Sequence, residues 1–351
     1  MKKRISIHDI AKHLNVSAAT ISFVLNGKAD ENRIRKDLVE KILAYVKEVG
    51  YRPNQVAKSL RTGKTKIIGM LVEGISDSFF ASIARIVEDE FYRLGYKLFY
   101  SSTDNNTEKA KALIRAFGER QVDGYIIAPP PGTEDEIQAL KDENLPVILF
   151  DRHLPSVQTA NVVIDNFKGA SDAINHFIAN GYRNIAMVTL ESDQSQMIER
   201  QKGYLKTLKK TGQKQILLKI KYSLTEEDNV NDISNFLVKN SQIDAVFFAT
   251  NYLTIAGLKA LRNLKLSIPR DVAVISFDDN TLFTMYSPSI TAVAQPIQKI
   301  SETIIKELMQ RLSNTDSTHK NETIVLPADL IIRESSKPIG KAKTATVKAS
   351  V

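Results

Sequence analysis

Several polar side chains of this 351-residue chain stand where predicted β-strands end, and their types suit the binding of a hydroxylated molecule. The strand-end residues are Asp77, Asp151, Asp165, Asn251 and Asp278. Carboxylates accept hydrogen bonds from paired hydroxyl groups, and an arginine such as Arg200 donates to ring and hydroxyl oxygens. Phe79 would add an apolar wall. Strand-end aspartates also cap helices and turns, so position alone leaves both roles open for each of them.

Alternating strand and helix patterns from Lys66 onward would position these residues. The β-rich runs are KIIGMLV, YKLFYSS, GYIIAP, PVILFD, NVVID, NIAMVT, DAVFFAT and VAVISFDD, with helical stretches between them. Repeated strand–helix units predict parallel sheets that are covered on both faces. The runs form two sets, before and after about Asp165, which predicts two doubly wound lobes with ligands outside the carboxyl ends of the strands.

A second kind of chemistry is indicated near the start, where residues 5–27 read ISIHDIAKHLNVSAATISFVLNG. Ser6 and Asp9 form an S-x-x-D capping pattern, and Ser17 can cap a second short helix after a tight turn. A third helix, roughly Lys36 to Val49, would close a small core. The pattern predicts a helix-turn-helix, whose second helix enters the major groove of DNA.

The outward side chains of that second helix are candidates for DNA contact. Thr20, Ser22 and Asn26 suit phosphate oxygens, whereas Ala18, Ala19 and Phe23 can contact thymine methyl groups. The two capping serines, Ser6 and Ser17, complete the candidates in the head.

The charge distribution supports a polyanionic partner for this head. Residues 1–66 contain 15 Lys and Arg against 6 Asp and Glu, whereas the whole chain has a net charge of +8. The body is therefore nearly neutral. A basic head on a neutral body favours nucleic acid over a merely solvated surface.

Other classes of site are disfavoured by what the sequence lacks. There is no cysteine, and the five histidines form no ligand pair, so we expect no metal and no cofactor. The GKT in SLRTGKTK lacks the earlier glycine of a phosphate-binding loop, and no Ser-His-Asp set has motif support, so we expect no enzyme. No signal peptide or membrane span is evident, which predicts a cytoplasmic, nucleoid-associated protein.

Two motifs in the first 72 residues are similar to those of a known protein family. The chain resembles the lactose-repressor (LacI/GalR) family of bacterial transcription regulators. The resemblance lies in ISIHDIAKHLNVSAATISFVLNGK and in the following VGYRPNQVAKSLRTGKTKIIGMLV. The body is similar to the same family, and through it to periplasmic sugar-binding proteins, up to about Arg333. Supporting motifs are DSFFASI, QVDGYIIAP, VVIDNFKGA, ERQKGYLKTL, FFATN, PRDVAVISFDD and ITAVAQP.

The resemblance assigns roles to some of the strand-end residues. Asp151, Arg200, Asn251 and Asp278 match ligand contacts of the family, whereas Asp77 and Asp165 rest on position alone. Phe79 and Gln295 match positions near the mouth or back of the cleft. The sequence departs from the family at Gln194, Gln196 and Tyr252, so the ligand of a relative cannot simply be copied.

The stretch YRPNQVAKSL, residues 51–60, predicts a helix too short to be stable alone in water. Asn54 could cap it. By resemblance, Val56 and Ala57 would contact the same helix of a second copy, and Lys58 and Arg61 would reach phosphates. By resemblance, Leu60 would wedge into the minor groove and kink the DNA. A plain linker is the alternative.

The predicted organisation is a small all-α helix-turn-helix head followed by an α/β, two-lobed core like that of periplasmic binding proteins. The boundaries are 1–50 for the head, 51–65 for a hinge helix and linker, 66–335 for the core and 336–351 for a disordered basic tail. By resemblance, the first lobe comprises about 66–164 and 293–322, and the second about 165–292 and 323–335.

Together these features predict a DNA-binding transcription regulator, a repressor that binds a palindromic operator as a homodimer. A small-molecule effector, a carbohydrate, would switch it from the cleft between the lobes. A sugar-binding protein without a DNA role is the first alternative, and a metabolic enzyme with an accessory head is the second. A tetramer, the identity of the effector and the sign of its effect remain open.

Overall fold

The computed structural model describes residues 5–51, 59, 63–222, 225–313 and 321–338. The chain separates into two compact units, Met1–Thr65 and Lys66–Val351. Within the described ranges, no helix combines the length and apolarity needed to cross a bilayer.

Residues 5–51 of the first unit form three short helices around a small apolar core. They are α1 (Ile7–His13), α2 (Ala18–Leu25) and α3 (Lys36–Glu48). Ile10, Ile21 and Ile42, one from each helix, are fully buried. The predicted capping box is confirmed, because Ser6 Oγ accepts the Asp9 amide at 3.2 Å and the Asp9 carboxylate accepts the Ser6 amide at 2.8 Å. Each cap satisfies an amide that the first helical turn leaves unpaired.

In the second unit, the described residues form two six-stranded sheets. The first has the order β11-β5-β4-β3-β1-β2 and the second the order β12-β10-β9-β8-β6-β7. The strands of the first sheet are β1 (Ile67–Val72), β2 (Lys97–Ser102), β3 (Gly124–Ile127), β4 (Val147–Phe150), β5 (Ala160–Ile164) and β11 (Thr323–Leu326). Those of the second are β6 (Ile185–Leu190), β7 (Ile216–Ile220), β8 (Ala245–Phe248), β9 (Ala273–Phe277), β10 (Thr291–Ala294) and β12 (Asp329–Ile331). We call the two halves the first and second lobe.

Helices cover both sheets. They are α4 (Ser78–Arg93), α5 (Thr107–Glu119), α6 (Glu134–Asp142), α7 (Asn166–Ala179), α8 (Ser195–Thr211), α9 (Glu226–Lys239), α10 (Asn251–Asn263), α11 (Thr281–Met285) and α12 (Ile297–Ser313). The central strands are buried along their whole length, as their continuous apolar sequences require. Between the strands of the described residues, every pairing is parallel except that of β10 with β12. The predicted fold class is confirmed, and each of the eight predicted runs forms a strand.

Four short strands, β7, β10, β11 and β12, were not predicted, and they move two lobe boundaries. β10 pairs with β9, so the chain leaves the second lobe after Ala294 rather than near residue 292. β11 pairs with β5, so the last crossing lies between Leu326 and Asp329 rather than near residue 322. Strands of three to five residues at or near sheet edges carry too little periodicity to reveal their partners.

The proposed start of the disordered tail at residue 336 is wrong. Ser335 and Ser336 are fully buried in a 3-10 helix, Glu334–Ser336. Ser335 Oγ donates to the Val274 carbonyl at 2.6 Å, and Tyr182 Oη donates to the Lys337 carbonyl at 2.8 Å. These bonds attach the segment to the second lobe. Residues 339–351 lie outside the described part of the chain.

Helices α7 and α8 approach each other closely at Gly203. A Cβ atom at this position would lie 2.4 Å from the Phe167 carbonyl oxygen and 2.9 Å from the Ala170 side chain. A backbone oxygen cannot move aside as a flexible side chain can. The absence of a side chain at Gly203 therefore sets the distance between the helix that carries Arg200 and its neighbour.

We expect Gly203→Ala to lower the free energy of unfolding by about 2 kcal/mol, because an added methyl group overpacks this contact. Gly118→Ala in α5 is the matched control, since its Cβ would lie 3.7 Å from the nearest atom. The control should be neutral or stabilising by up to about 1 kcal/mol, since alanine favours a helix over glycine. Urea unfolding measures both, and equal effects would contradict the tight contact at Gly203.

Candidate functional site

A cavity that is partly open to solvent lies between the lobes, at the carboxyl ends of strands from both sheets. The first lobe contributes Glu73, Asp77, Phe79, Phe80, Asp151 and Arg152 to its wall. The second lobe contributes Leu190, Gln194, Gln196, Met197, Arg200, Thr250, Asn251, Tyr252 and Asp278. We call this the inter-lobe cavity.

Arg200 is the central cation of the second lobe and is 2% exposed. Its Nε donates to Asn166 Oδ1 at 2.8 Å, and its Nη1 donates to the Ala249 carbonyl at 2.6 Å. Nη1 also lies 3.3 Å from an Asp278 carboxylate oxygen. The guanidinium carbon is 3.6 Å from the centre of the Phe277 ring. The buried charge is thus compensated by one carboxylate, two neutral acceptors and an aromatic face.

The two aspartates that follow β4 and β9 have an unusual backbone conformation. Asp151 has a φ of 65° and Asp278 a φ of 69°. Aspartate tolerates this left-handed region better than most residues, but it is rarely adopted without a structural reason. In both cases the turn follows the last buried strand residue directly, and the side chain lines the inter-lobe cavity.

Both oxygens of Asp278 are engaged. One faces Arg200, and the other accepts a hydrogen bond of 2.6 Å from Gln295 Nε2. Burial raises the pKa of Asp278 above its ordinary value, and the charge of Arg200 only partly offsets this. The group is therefore an ionisable carboxylate held in place from both sides.

Arg152 organises the first lobe in the same way. Its Nε donates to Asp151 at 2.9 Å, its Nη1 to Asn105 at 2.8 Å and its Nη2 to Glu73 at 2.7 Å. Burial alone would lower the pKa of Arg152, but the charges of Asp151 and Glu73 raise it above the ordinary value. All three nitrogen positions of this guanidinium are used within the lobe.

Asp77 occupies the N-terminus of α4. Its Oδ1 accepts the amide of Phe79 at 2.8 Å and that of Phe80 at 3.4 Å. Burial raises the pKa of Asp77 to about 6, and the charge of Asp278 contributes further to the increase. The helix cap and the candidate ligand contact are thus made by the same carboxyl group.

Direct hydrogen bonds join the lobes around the inter-lobe cavity. Gln194 Nε2 donates to Asn105 Oδ1 at 2.9 Å, and the His153 amide donates to Ser195 Oγ at 3.2 Å. Ser78 Oγ accepts Asn280 Nδ2 at 3.0 Å. These bonds hold the lobes in a closed arrangement.

Six of the eight predicted ligand-contact residues line the inter-lobe cavity. They are Asp77, Phe79, Asp151, Arg200, Asn251 and Asp278. Gln295 does not line it but holds Asp278 from behind. The prediction for Asp165 needs correction, because its side chain caps α7 by accepting the Lys168 amide at 2.8 Å and is not part of the wall.

Other lining residues were missed by the sequence reasoning. They are Glu73, Phe80, Arg152, Leu190, Met197 and Thr250. Glu73 follows β1 directly and Arg152 lies two residues after β4, so the rule that strand ends gather at one edge could have identified both. The apolar residues carry no such signal. Among the described residues, no group of three or more acidic or histidine side chains could hold a metal ion.

In the first unit, some candidate DNA contacts are exposed, whereas others already make hydrogen bonds within the head. Ala19 and Phe23 are exposed, Phe23 by 36%. Ser17 caps α2 and its Oγ lies 2.8 Å from Thr20 Oγ1, whereas Asn26 Nδ2 donates to the Ser22 carbonyl at 2.6 Å.

Ala18 and the hinge candidates differ from the other predicted DNA contacts. Ala18 is half-buried against the head core rather than fully outward, because it begins α2 next to the turn. The hinge candidates Asn54, Val56, Ala57, Lys58, Leu60 and Arg61 lie outside the described residues.

Comparisons with known proteins match both units. Residues 6–54 match the model for bacterial regulatory proteins of the lacI family, and residues 174–336 match a periplasmic binding protein-like domain. The HTH-type transcriptional regulator RegA of Clostridium saccharobutylicum is 32% identical over 334 residues, which cover 94% of this chain and 99% of RegA.

Two solved structures are also similar. The lac repressor dimer bound to operator and the anti-inducer ONPF has a TM-score of 0.82 at 19% identity, covering 95% of this chain and all of that one. At this identity the match shows the fold. A LacI family transcriptional regulator from Enterococcus faecium with bound ribose has a TM-score of 0.69 at 26% identity, covering 78% of this chain and 99% of that one.

The raised pKa of Asp77 predicts a pH-dependent effect of Asp77→Asn. The folded state binds the proton more tightly than the unfolded state, so ionisation of Asp77 costs stability as pH rises from about 4 through about 6. Asparagine still caps the helix but carries no charge. We expect the variant to gain about 1–2 kcal/mol of unfolding free energy at pH 7 and almost none at pH 4.

Urea unfolding at both pH values measures this difference. Asp165→Asn is the matched control, because it makes the same change at the N-terminus of α7, outside the inter-lobe cavity, and reports the capping effect alone. A gain for Asp77→Asn that is the same at pH 4 and pH 7 would contradict the assigned electrostatics.

Proposed function

The chain belongs to the lacI family of bacterial regulatory proteins, and from that membership we propose that this DNA-binding transcription regulator is a homodimeric repressor of a palindromic operator, switched by a carbohydrate in the inter-lobe cavity. Relatives that match nearly the whole chain are named as HTH-type transcriptional regulators or repressors rather than enzymes. The proposal requires no metal or cofactor besides the effector. Binding to chromosomal operators would place the protein in the cytoplasm, on the nucleoid.

The head supports the DNA-binding part of the proposal. Ala19 and Phe23 are exposed on α2 and available to the methyl groups of thymines, and Thr20 and Ser22 lie beside them on the same helix. A single helix-turn-helix makes few base contacts, whereas two heads on a two-fold symmetric site double the interface. The lysines and arginines of residues 1–66 would displace counterions from phosphates, which makes binding sensitive to salt.

One observation supports the effector part above all. The inter-lobe cavity takes carboxylates from the first lobe and a carboxylate, an arginine and amides from the second. A polyhydroxylated ligand can therefore bond to both lobes at once. A related regulator of similar fold has been solved with bound ribose, which supports a carbohydrate as the chemical class.

Closure of the lobes would connect the two activities. A ligand that binds one lobe arrangement better than the other shifts the population toward it. In a dimer, we propose that closure changes the separation of the two first lobes, and hence of the two segments 51–65 that precede them in sequence. A short helix there, with Leu60 in the minor groove, could form only when both copies meet on DNA.

Selection from random double-stranded DNA tests the operator part of the proposal. The full chain should enrich a near-palindrome, and light scattering of the purified complex should give two chains per site. Affinity should fall steeply between 50 and 200 mM salt, by a factor on the order of 10³ or more. Enrichment of an asymmetric site that is bound by one chain would contradict the dimer model.

The effector site can be tested with Asp278→Asn, which keeps the shape of the side chain but removes its charge. A thermal-shift screen of pentoses and hexoses, including D-ribose, should find sugars that raise the melting temperature of the parent. Asp278→Asn should lose that response while it binds the selected operator with parental affinity. Asp165→Asn is the control and should retain both. A sugar response that survives in Asp278→Asn would move the effector site elsewhere.

A further inference from the structure

The charges in the inter-lobe cavity do not balance. Its wall carries four carboxylates, Glu73, Asp77, Asp151 and Asp278, but only two cations, Arg152 and Arg200. A neutral sugar would leave this excess of negative charge in a closed space. An uncompensated buried charge is costly, so a ligand that supplies positive charge gains more from the same contacts.

The two arginines cannot supply the missing charge, because each is already paired. Arg152 bridges Glu73 and Asp151 at 2.7 and 2.9 Å, and Arg200 faces Asp278 at 3.3 Å. Among the described residues, no ion pair is made by Asp77. Its Oδ1 accepts two backbone amides of α4, and its other bonding partner in this part of the chain is the neutral side chain of Asn251.

A second, independent feature of the wall is an unused hydrogen-bond acceptor. Gln196 is 3% exposed, and its Oε1 has no partner within the described residues. Its Nε2 lies 3.4 Å from Asp151 Oδ2 and 3.3 Å from Gln194 Oε1. Exchanging the two ends of this amide would bring oxygen against two further oxygens, so the orientation with Oε1 unpaired is favoured. The wall of the cavity therefore contains a buried acceptor that no protein group among the described residues satisfies, and a donor on a ligand or a water molecule can pair with it.

Aromatic side chains complete this environment. Phe79, Phe80 and Tyr252 belong to the same wall as the carboxylates. The faces of aromatic rings attract cations, and they repel anions for the same reason. Carboxylates, an unpaired acceptor and aromatic rings together are the complement of a protonated amine.

We propose that the effector of this regulator is a small polyhydroxylated amine, of the class of amino sugars and amino polyols, whose ammonium group pairs with Asp77. This rests on the proposed function, since it specifies the chemistry of the same effector site. The ammonium group brings the missing positive charge and three N–H donors. Gln196 Oε1 accepts one donor from the ligand, and the paired carboxylates and Asn251 hold its hydroxyl groups. An anionic ligand such as a sugar phosphate is disfavoured, because both guanidinium groups are already neutralised.

The test compares matched ligands that differ only in the amine. Calorimetry on the full chain at pH 7 would use D-glucosamine with D-glucose and N-acetyl-D-glucosamine, and D-galactosamine with D-galactose and N-acetyl-D-galactosamine. We expect at least one free amine to bind ten-fold or more tightly than both of its neutral counterparts. In Asp77→Asn this preference should fall to two-fold or less, and in the control Asp165→Asn it should persist.

Every other outcome contradicts the amine proposal. The outcomes also distinguish failure of the amine proposal from failure of the proposed carbohydrate effector. If the neutral sugars bind as well as the amines, or if no amine is preferred, the effector is not an amine, but a carbohydrate effector stands wherever a neutral sugar binds. If an amine is preferred equally in the parent and in Asp77→Asn, the assigned pairing is wrong. If the chain binds operator DNA but no sugar of either kind, the amine and the carbohydrate effector both fail.

Discussion

A buried guanidinium group is the constraint on which the functional part of this molecule depends. Arg200 bonds to side chains or carbonyls from the start of α7 and from the ends of β8 and β9. Removing a neutral acceptor would leave a donor of this buried cation without a partner, and removing Asp278 would leave its charge without a counter-ion. The elements that supply them must therefore keep their positions relative to α8. The close approach of α7 and α8 at Gly203 serves the same arrangement.

Several hydrogen bonds between the lobes are of a different kind, although Gln196 and Asn251 also approach carboxylates of the first lobe. Gln194, Asn280 and the His153 amide make neutral hydrogen bonds across the inter-lobe cavity. Each neutral bond contributes only about 1 kcal/mol net, since water replaces it when the lobes part. These neutral bonds thus contribute less than the ion pairs inside each lobe. A ligand shifts the balance between open and closed forms only by its difference in affinity for the two.

The sequence predicts what depends on local pattern and misses what depends on distant pairing. Long apolar runs such as IIGMLV identify central strands because burial on both faces leaves no room for polar residues. β11, with only four residues, could not be assigned to β5, which lies more than 150 residues earlier. The same limit applies to the site. Asp77 and Asp165 are both strand-end, helix-capping aspartates, and only the three-dimensional arrangement separates the one in the cavity from the one outside it.

The last two strands of the core have a consequence for the order in which the protein can be completed. β11 forms an edge of the first sheet, β12 forms an edge of the second, and they are separated by two residues. α12, which packs on the first lobe, also comes from this late part of the chain. A ribosome must therefore synthesise nearly the whole core before either sheet has all its strands. The two lobes, although separate in space, finish folding almost together, and in an incomplete chain β5 and β10 become the exposed edges in place of β11 and β12.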